Sequence, residues 1–261
     1  MVVLGASAAV LLSAPALAAA NSTPTALGSG SLSELSIPDL IAGLLPGVPS
    51  APDRAADGKT RCTAVIQVGD STSVNVNDPG FGDNTATARL QSVGVRDVTV
   101  DALGSRAIVG GPRTDAEHAI AELVGAGKRG CWVIAMGVND AGAISGGGVS
   151  ADERIDRVMA KLAGQPVLWP TVASSNPANP AFGTASMGAF NDALRRATQR
   201  YPNLAVYDWA AAAHPELFAG DGIHYTAAGT QARNKAFAAA LATAFPTGAG
   251  NATPAVRWVV G

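Results

Sequence analysis

A serine, a histidine and an aspartate in this chain have the types and spacing needed to attack an acyl carbonyl. Ser71 stands in "VGDSTSV", directly after the apolar run "TAVIQ". A serine hydroxyl is a poor nucleophile until a base removes its proton. The chain has three histidines, His118, His214 and His224. His118 falls in the first turns of an expected helix, and His214 precedes a proline in an expected loop, so a surface role suits both. His224 is the remaining base, and Asp221 lies three residues before it in "DGIH". In a turn, that spacing lets the carboxylate fold back onto the imidazole Nδ1–H. It would then set the tautomer and stabilise the imidazolium. Read as structure alone, Ser71 is a turn residue, Asp221-Gly222 a solvated turn and His224 the start of a helix.

Such groups work only if the fold brings them together. From Thr63 onward, short apolar runs recur: 63–68, 95–100, 131–136, 166–170 and 204–208. They are short and partly β-branched, as strands buried on both faces should be. Helical patterns lie between them. Residues 83–93 fit one helix. Thr114-Asp115-Ala116-Glu117 and Ser150-Ala151-Asp152-Glu153 both have capping-box form before an amphipathic stretch. Two further helices are expected at about 184–200 and 226–244. Five alternating units imply a three-layer α/β/α fold around a parallel sheet with right-handed crossovers. These sheets bind ligands beyond the carboxyl ends of their strands. The loops there carry Gly69-Asp70-Ser71, Asp101 to Arg106 with Gly104 between, Gly137-Val138-Asn139-Asp140, and Asp221 to His224. One rim thus gathers a nucleophile, a glycine amide, an amide side chain and an Asp/His pair.

Those four loops, in that order over residues 69–224, resemble the SGNH hydrolases, also called the GDSL esterase family. That family carries GDS in block I, a glycine in block II, GxND in block III and DxxH in block V. The resemblance implies a five-stranded parallel sheet in the flavodoxin-like order 2-1-3-4-5. It implies Ser71 as nucleophile, His224 as base and Asp221 as its orienting carboxylate. The oxyanion hole would comprise the Ser71 N–H, the Gly104 N–H and the Asn139 side chain. One such donor is worth about 3 kcal/mol in the transition state. Asp70 and Asp140 are expected to be structural. Arg106, in "DALGSR", either orients a polar substrate or pairs with a nearby carboxylate. With strands one and three as neighbours, Cys62 and Cys131 both fall at strand starts. Adjacent strands lie about 4.8 Å apart, within disulfide range. A Cys62–Cys131 bridge is therefore expected at the pole opposite the site.

Composition narrows the rest. The 261 residues are 48% hydrophobic with a net charge of -2, enough apolar content for a full core. No basic stripe favours nucleic acid. No HExxH, Cys/His cluster or GxxxxGK is present, so neither a metal nor a nucleotide cofactor is expected. Residues 2–14 form an apolar run followed by Ala16-Leu17-Ala18, the small-x-small form of a cleavage site, although no Lys or Arg precedes the run. The expected organisation is a signal peptide (1–20), a Pro/Ser/Ala-rich linker (21–60), the hydrolase domain (61–246) and a C-terminal tail (247–261). Within the linker, Leu40 to Leu45 could dock or form a short helix. The tail could add an edge element. The implied activity is an exported serine esterase, secreted or associated with the cell envelope. Its substrate would be a small-molecule or glycan O-acyl ester with a short acyl group, because the long loop after strand four is built of small residues. Alternatives are an acyltransferase using the same triad, a lipase or lysophospholipase, and a non-catalytic envelope-binding module. The sequence gives no reading of oligomeric state.

Overall fold

The computed structural model describes residues 58–111, 114–248 and 250–261. The expected signal peptide, the linker up to residue 57 and the Leu40–Leu45 run lie outside the described residues. Five strands correspond to the five apolar runs: β1 (Ala64–Gly69), β2 (Asp97–Ala102), β3 (Cys131–Ala135), β4 (Val167–Pro170) and β5 (Leu204–Tyr207). Alternate side chains of each central strand enter different cores, which explains why the runs are continuously apolar. Ile66, Val68, Trp132, Ile134, Trp169 and Val206 join one cluster. Val65, Val133, Ala135, Leu168, Ala205 and Tyr207 join the other.

The helices are α1 (Ala86–Ser92), α2 (Ala116–Gly125), α3 (Val138–Ile144), α4 (Ala151–Lys161), α5 (Thr184–Arg200), α6 (Trp209–Ala212) and α7 (Ala227–Ala244). The first core packs Ile120 of α2, Val158 and Met159 of α4, and Phe190 and Leu194 of α5. The second packs Leu90 of α1 with Phe237 and Leu241 of α7. Ser150 caps α4 by accepting from the Glu153 N–H at 3.2 Å, as its sequence form predicts. The cap of α2 is Asp115 rather than Thr114, and its side chain accepts from the His118 N–H at 2.9 Å.

The sheet is parallel throughout, in the order β2-β1-β3-β4-β5-β6. It has six strands instead of the expected five. The sixth, β6 (Trp258–Val259), comes from the C-terminal tail and pairs with Val206 and Tyr207 of β5. Two residues are too few to show a period of two. This strand is fixed instead by its anchors. The Arg195 guanidinium lies 3.7 Å from the centre of the Trp258 ring, and Arg257 donates to Thr198 O at 2.8 Å. The C-terminal tail thus adds the edge element expected of it.

Cys62 and Cys131 form a disulfide with a Cα–Cα separation of 5.7 Å. Both cysteines are buried at the amino-terminal pole, where Cys131 opens β3 level with Val65. At the other pole, Gly69 of β1 is level with both Ala102 of β2 and Ala135 of β3. That register puts the loops after three strands side by side.

Candidate active site

The turn carrying Ser71 begins where β1 stops. A Cβ on Gly69 would lie 2.4 Å from the Ser73 Cβ, so only glycine lets the chain fold back here. Asp70 is fully buried and caps a 3-10 turn over Ser71–Ser73. Its Oδ1 accepts from the Thr72 N–H at 2.9 Å and the Thr72 hydroxyl at 2.7 Å. Its carbonyl accepts from the Ser73 N–H at 3.0 Å. Ser71 stands half-buried at the head of this turn.

Asp221 and His224 occupy a tight turn before α7. Gly222 has φ +70°, and a Cβ there would lie 2.2 Å from Ser175 O. Its carbonyl accepts from the Ser175 N–H at 2.8 Å, so the loop after β4 braces this turn. Asp221 Oδ1 accepts from the Ile223 and His224 N–H groups, both at 2.9 Å. Asp221 Oδ2 is 2.6 Å from His224 Nδ1. His224 Nε2 is 2.8 Å from Ser71 Oγ. The hydrogen bond with His224, followed by the backbone N–H groups, holds the Asp221 carboxyl down to about 2. Both side chains remain open to water, at 44% exposure for His224 and 49% for Asp221.

Gly104 follows Ala102 by two residues, as Ser71 follows Gly69. The Leu103 N–H donates to Gly69 O at 3.1 Å and pins the two loops together. Asn139 lies in the first turn of α3, and its Nδ2 donates to Arg106 O at 2.8 Å. An amide nitrogen has two hydrogens, so one is left for a further acceptor. Among the described residues, the Ser71 and Gly104 N–H groups meet no protein acceptor.

The next residue, Asp140, turns inward and is fully buried. Its carboxylate accepts from the Ile108 N–H at 2.9 and 3.1 Å and from Arg154 Nη1 at 2.7 Å. Arg154 also donates to Val109 O at 2.9 Å and Val149 O at 3.0 Å. Burial raises the Asp140 carboxyl to about 6, against the pull of the Ile108 N–H and Arg154. This pair staples the Gly104 loop to the helix that carries Asn139.

Of the two roles expected for Arg106, the pairing contacts are the ones present. Arg106 is 4% exposed. Its Nη2 bonds Asp101 Oδ1 at 2.9 Å, its Nη1 donates to Asp101 O at 2.9 Å, and its Nε donates to Thr114 O at 3.2 Å. The other two histidines lie apart from this arrangement. His118 is 73% exposed and bonds Asp115 at 2.6 Å, and His214 is exposed. Among the described residues, no three His, Cys, Asp or Glu side chains gather as metal ligands would.

Sequence reasoning missed Arg154 and Arg233. Arg154 is adjacent in sequence to the apolar face of α4 formed by Ile155, Val158 and Met159, a signal that fits many solvated arginines. Arg233 is buried in α7 beside Asn234, and nothing in "TQARNK" separates it from a surface residue.

Several comparisons bear on this arrangement. The family model of the GDSL-like lipase/acylhydrolase family matches residues 68–232. No curated protein sequence matches the chain. Solved structures share the fold. The catalytic domain of Streptococcus pneumoniae peptidoglycan O-acetyltransferase A is 19% identical, with 70% of this chain and 92% of that one covered at a TM-score of 0.51. A lipase/acylhydrolase from Enterococcus faecalis is 18% identical, with 67% and 93% covered at 0.55. A carbohydrate acetylesterase family member from Sinorhizobium meliloti is 16% identical, with 69% and 97% covered at 0.54. The family model spans every loop that builds the rim, from the Ser71 turn to the His224 turn, and the chain belongs to the GDSL-like lipase/acylhydrolase family of serine ester hydrolases.

Proposed function

We propose that this protein is an exported esterase that removes short acyl groups, acetyl above all, from hydroxyls of cell-envelope carbohydrate. The observation that carries the chemistry is the continuous path from Asp221 through His224 to Ser71. Ser71 Oγ attacks the ester carbonyl and passes its proton to His224 Nε2. The negative oxygen that forms is held by the Ser71 and Gly104 N–H groups and the free Asn139 amide hydrogen. The leaving alcohol takes the proton from Nε2 and departs, leaving acyl-Ser71. Water then attacks the acyl carbon, loses a proton to His224, and the carboxylic acid leaves as Ser71 recovers its proton. Asp221 holds the ring throughout and offsets the imidazolium charge.

Three features support the substrate class. His224 and Asp221 are almost half exposed, which suits an ester carried on a bulky polymer. Polar groups stand exposed beside the site. Ser105, with φ +59°, follows Gly104, and Asn176, with φ +55°, follows Ser175. The solved structures with this fold include a carbohydrate acetylesterase family member and a peptidoglycan O-acetyltransferase. Export is supported by the Cys62–Cys131 disulfide, a bond that persists in oxidising compartments.

The test combines aryl esters of increasing acyl length with acetate release from O-acetylated peptidoglycan and polysaccharide. This reading expects the acetyl ester to be turned over fastest and free acetate to appear from the glycan. Preference for long chains would favour the lipase alternative. Acetyl transfer to added sugar without acetate release would favour the transferase.

A further inference from the structure

Behind the nucleophile lies a charge that the chemistry above does not use. Arg233, on α7, is 5% exposed, with its Nε shut off from solvent. Its Nη1 donates to Thr72 O and to Ser73 Oγ, both at 3.2 Å. These are the two residues directly after Ser71. The same guanidinium lies 4.5 Å from the centre of the Phe237 ring and 5.3 Å from that of Tyr225, the residue directly after His224. One side chain therefore touches both the turn that presents the nucleophile and the segment that presents the base.

A buried cation is costly unless its surroundings compensate it. Here the compensation is assembled from the site itself. Asp70, the residue before Ser71, is fully buried, and its Oδ2 has no protein hydrogen-bond partner among the described residues; the same holds for Arg233 Nε. The two groups attract each other through space, against the desolvation that works on both. Aromatic faces supply the remaining attraction. A leucine or methionine here would fill the space without a desolvation cost, so a buried arginine gains nothing for simple packing.

We propose that Arg233 is a positioning residue for the reaction: it fixes the Ser71 turn through Thr72 and Ser73 and holds that turn in register with the His224 segment through Tyr225. It touches neither substrate nor reacting atoms. This inference rests on the reading of Ser71 as nucleophile.

The test uses R233M, R233K and S73A in the full chain. Each is assayed with an aryl acetate and for the rate at which a sulfonyl fluoride modifies Ser71. Folding is followed by thermal melting, with kinetics measured well below the transition. R233M is expected to lower kcat about tenfold to a hundredfold, the scale of small misplacements of reacting groups. KM should stay within about twofold, because no substrate contact is lost. The sulfonylation rate should fall with kcat, and R233K should recover part of both. A folded R233M with wild-type kcat and wild-type sulfonylation overturns the proposal, even if its melting temperature is lower. If R233M does not fold, R233K and S73A decide. A lower kcat at constant KM in either supports the positioning role, and wild-type kcat in both overturns it. An S71A variant that retains full activity would instead overturn the nucleophile reading beneath it, so the two failures remain distinct.

Discussion

His224 Nε2 lies 2.8 Å from Ser71 Oγ although 153 residues of chain separate them. The contact is made because β1 ends in a turn that needs Gly69 and the segment before α7 makes a turn that needs Gly222. In the second turn, Ser175 O stands 2.2 Å from where a Cβ of residue 222 would be. Gly222→Ala therefore has to move the Asp221–His224 turn. It should lower kcat tenfold or more, on the scale of small misplacements in active sites, with fold retained by circular dichroism.

In the proposed relay Asp221 is the most exposed member, so water can replace part of its effect on the imidazolium. Asp221→Asn should lower kcat by less than the roughly 10⁴-fold seen for a buried triad aspartate. Stability gives a second readout. The folded-state value of about 2 lies below the ordinary one. The carboxylate therefore contributes stability above the unfolded value of about 3.9, and loses it as pH falls toward 2. Melting curves of wild type and Asp221→Asn should converge over that range. Exposure keeps the difference small.

Asn139 spends one amide hydrogen on Arg106 O, and the other is free for the oxyanion of the proposed reaction. Asn139→Ala should reduce kcat by about 10²- to 10³-fold, as for loss of one oxyanion donor, with little change in KM. Steady-state kinetics with an aryl acetate measures both.

The Asp140–Arg154 pair is buried, with Asp140 fully so, and breaking it strands a charge. Arg154→Met should cost about 3–5 kcal/mol in unfolding free energy, measured by urea denaturation. Asp140 also carries a pH signature of the opposite sign to Asp221. Its folded value of about 6 lies above the unfolded one. Its contribution is present below about 3.9 and lost as pH rises through 6. Asp140→Asn should remove that slope between pH 4 and 6.

The disulfide lies at the pole away from the chemistry and closes a sequence separation of 69 residues. On the loop-entropy model its loss costs about 4 kcal/mol. Cys62→Ser with Cys131→Ser should lower the melting temperature by roughly 10 °C for a domain of this size. It should leave kcat at 25 °C unchanged. Thiol labelling of the unreduced wild-type protein should find no free cysteine.

The strands were readable because burial on both faces leaves an unbroken apolar run, as in "CWVIA" of β3. The motifs were readable because Ser71, Gly104 and Asn139 fall within a few residues of a strand's carboxyl end, and Asp221 and His224 come just before α7. Ser71, Gly104, Asn139, Asp221 and His224 were all named from their sequence positions. What escaped depends on distant partners. Trp258–Val259 becomes a strand only because β5 offers an edge and Arg195 covers the ring. The Arg106 ion pair needed the position of Asp101. Arg154 and Arg233 look like ordinary helical arginines until Asp140 and the Ser71 turn are placed against them. The cap of α2 is one residue later than the capping-box form suggests, and Asp115 there also accepts from the Gly110 N–H at 2.8 Å, a contact outside the helix.

The central claim is that Ser71 is the nucleophile of an ester hydrolase. The most direct measurement is the initial rate of aryl acetate hydrolysis by Ser71→Ala beside the wild type, both shown to be folded. The account predicts a fall of at least about 10³-fold, as when a triad nucleophile is removed. Hydrolysis by folded Ser71→Ala at the wild-type rate would contradict it.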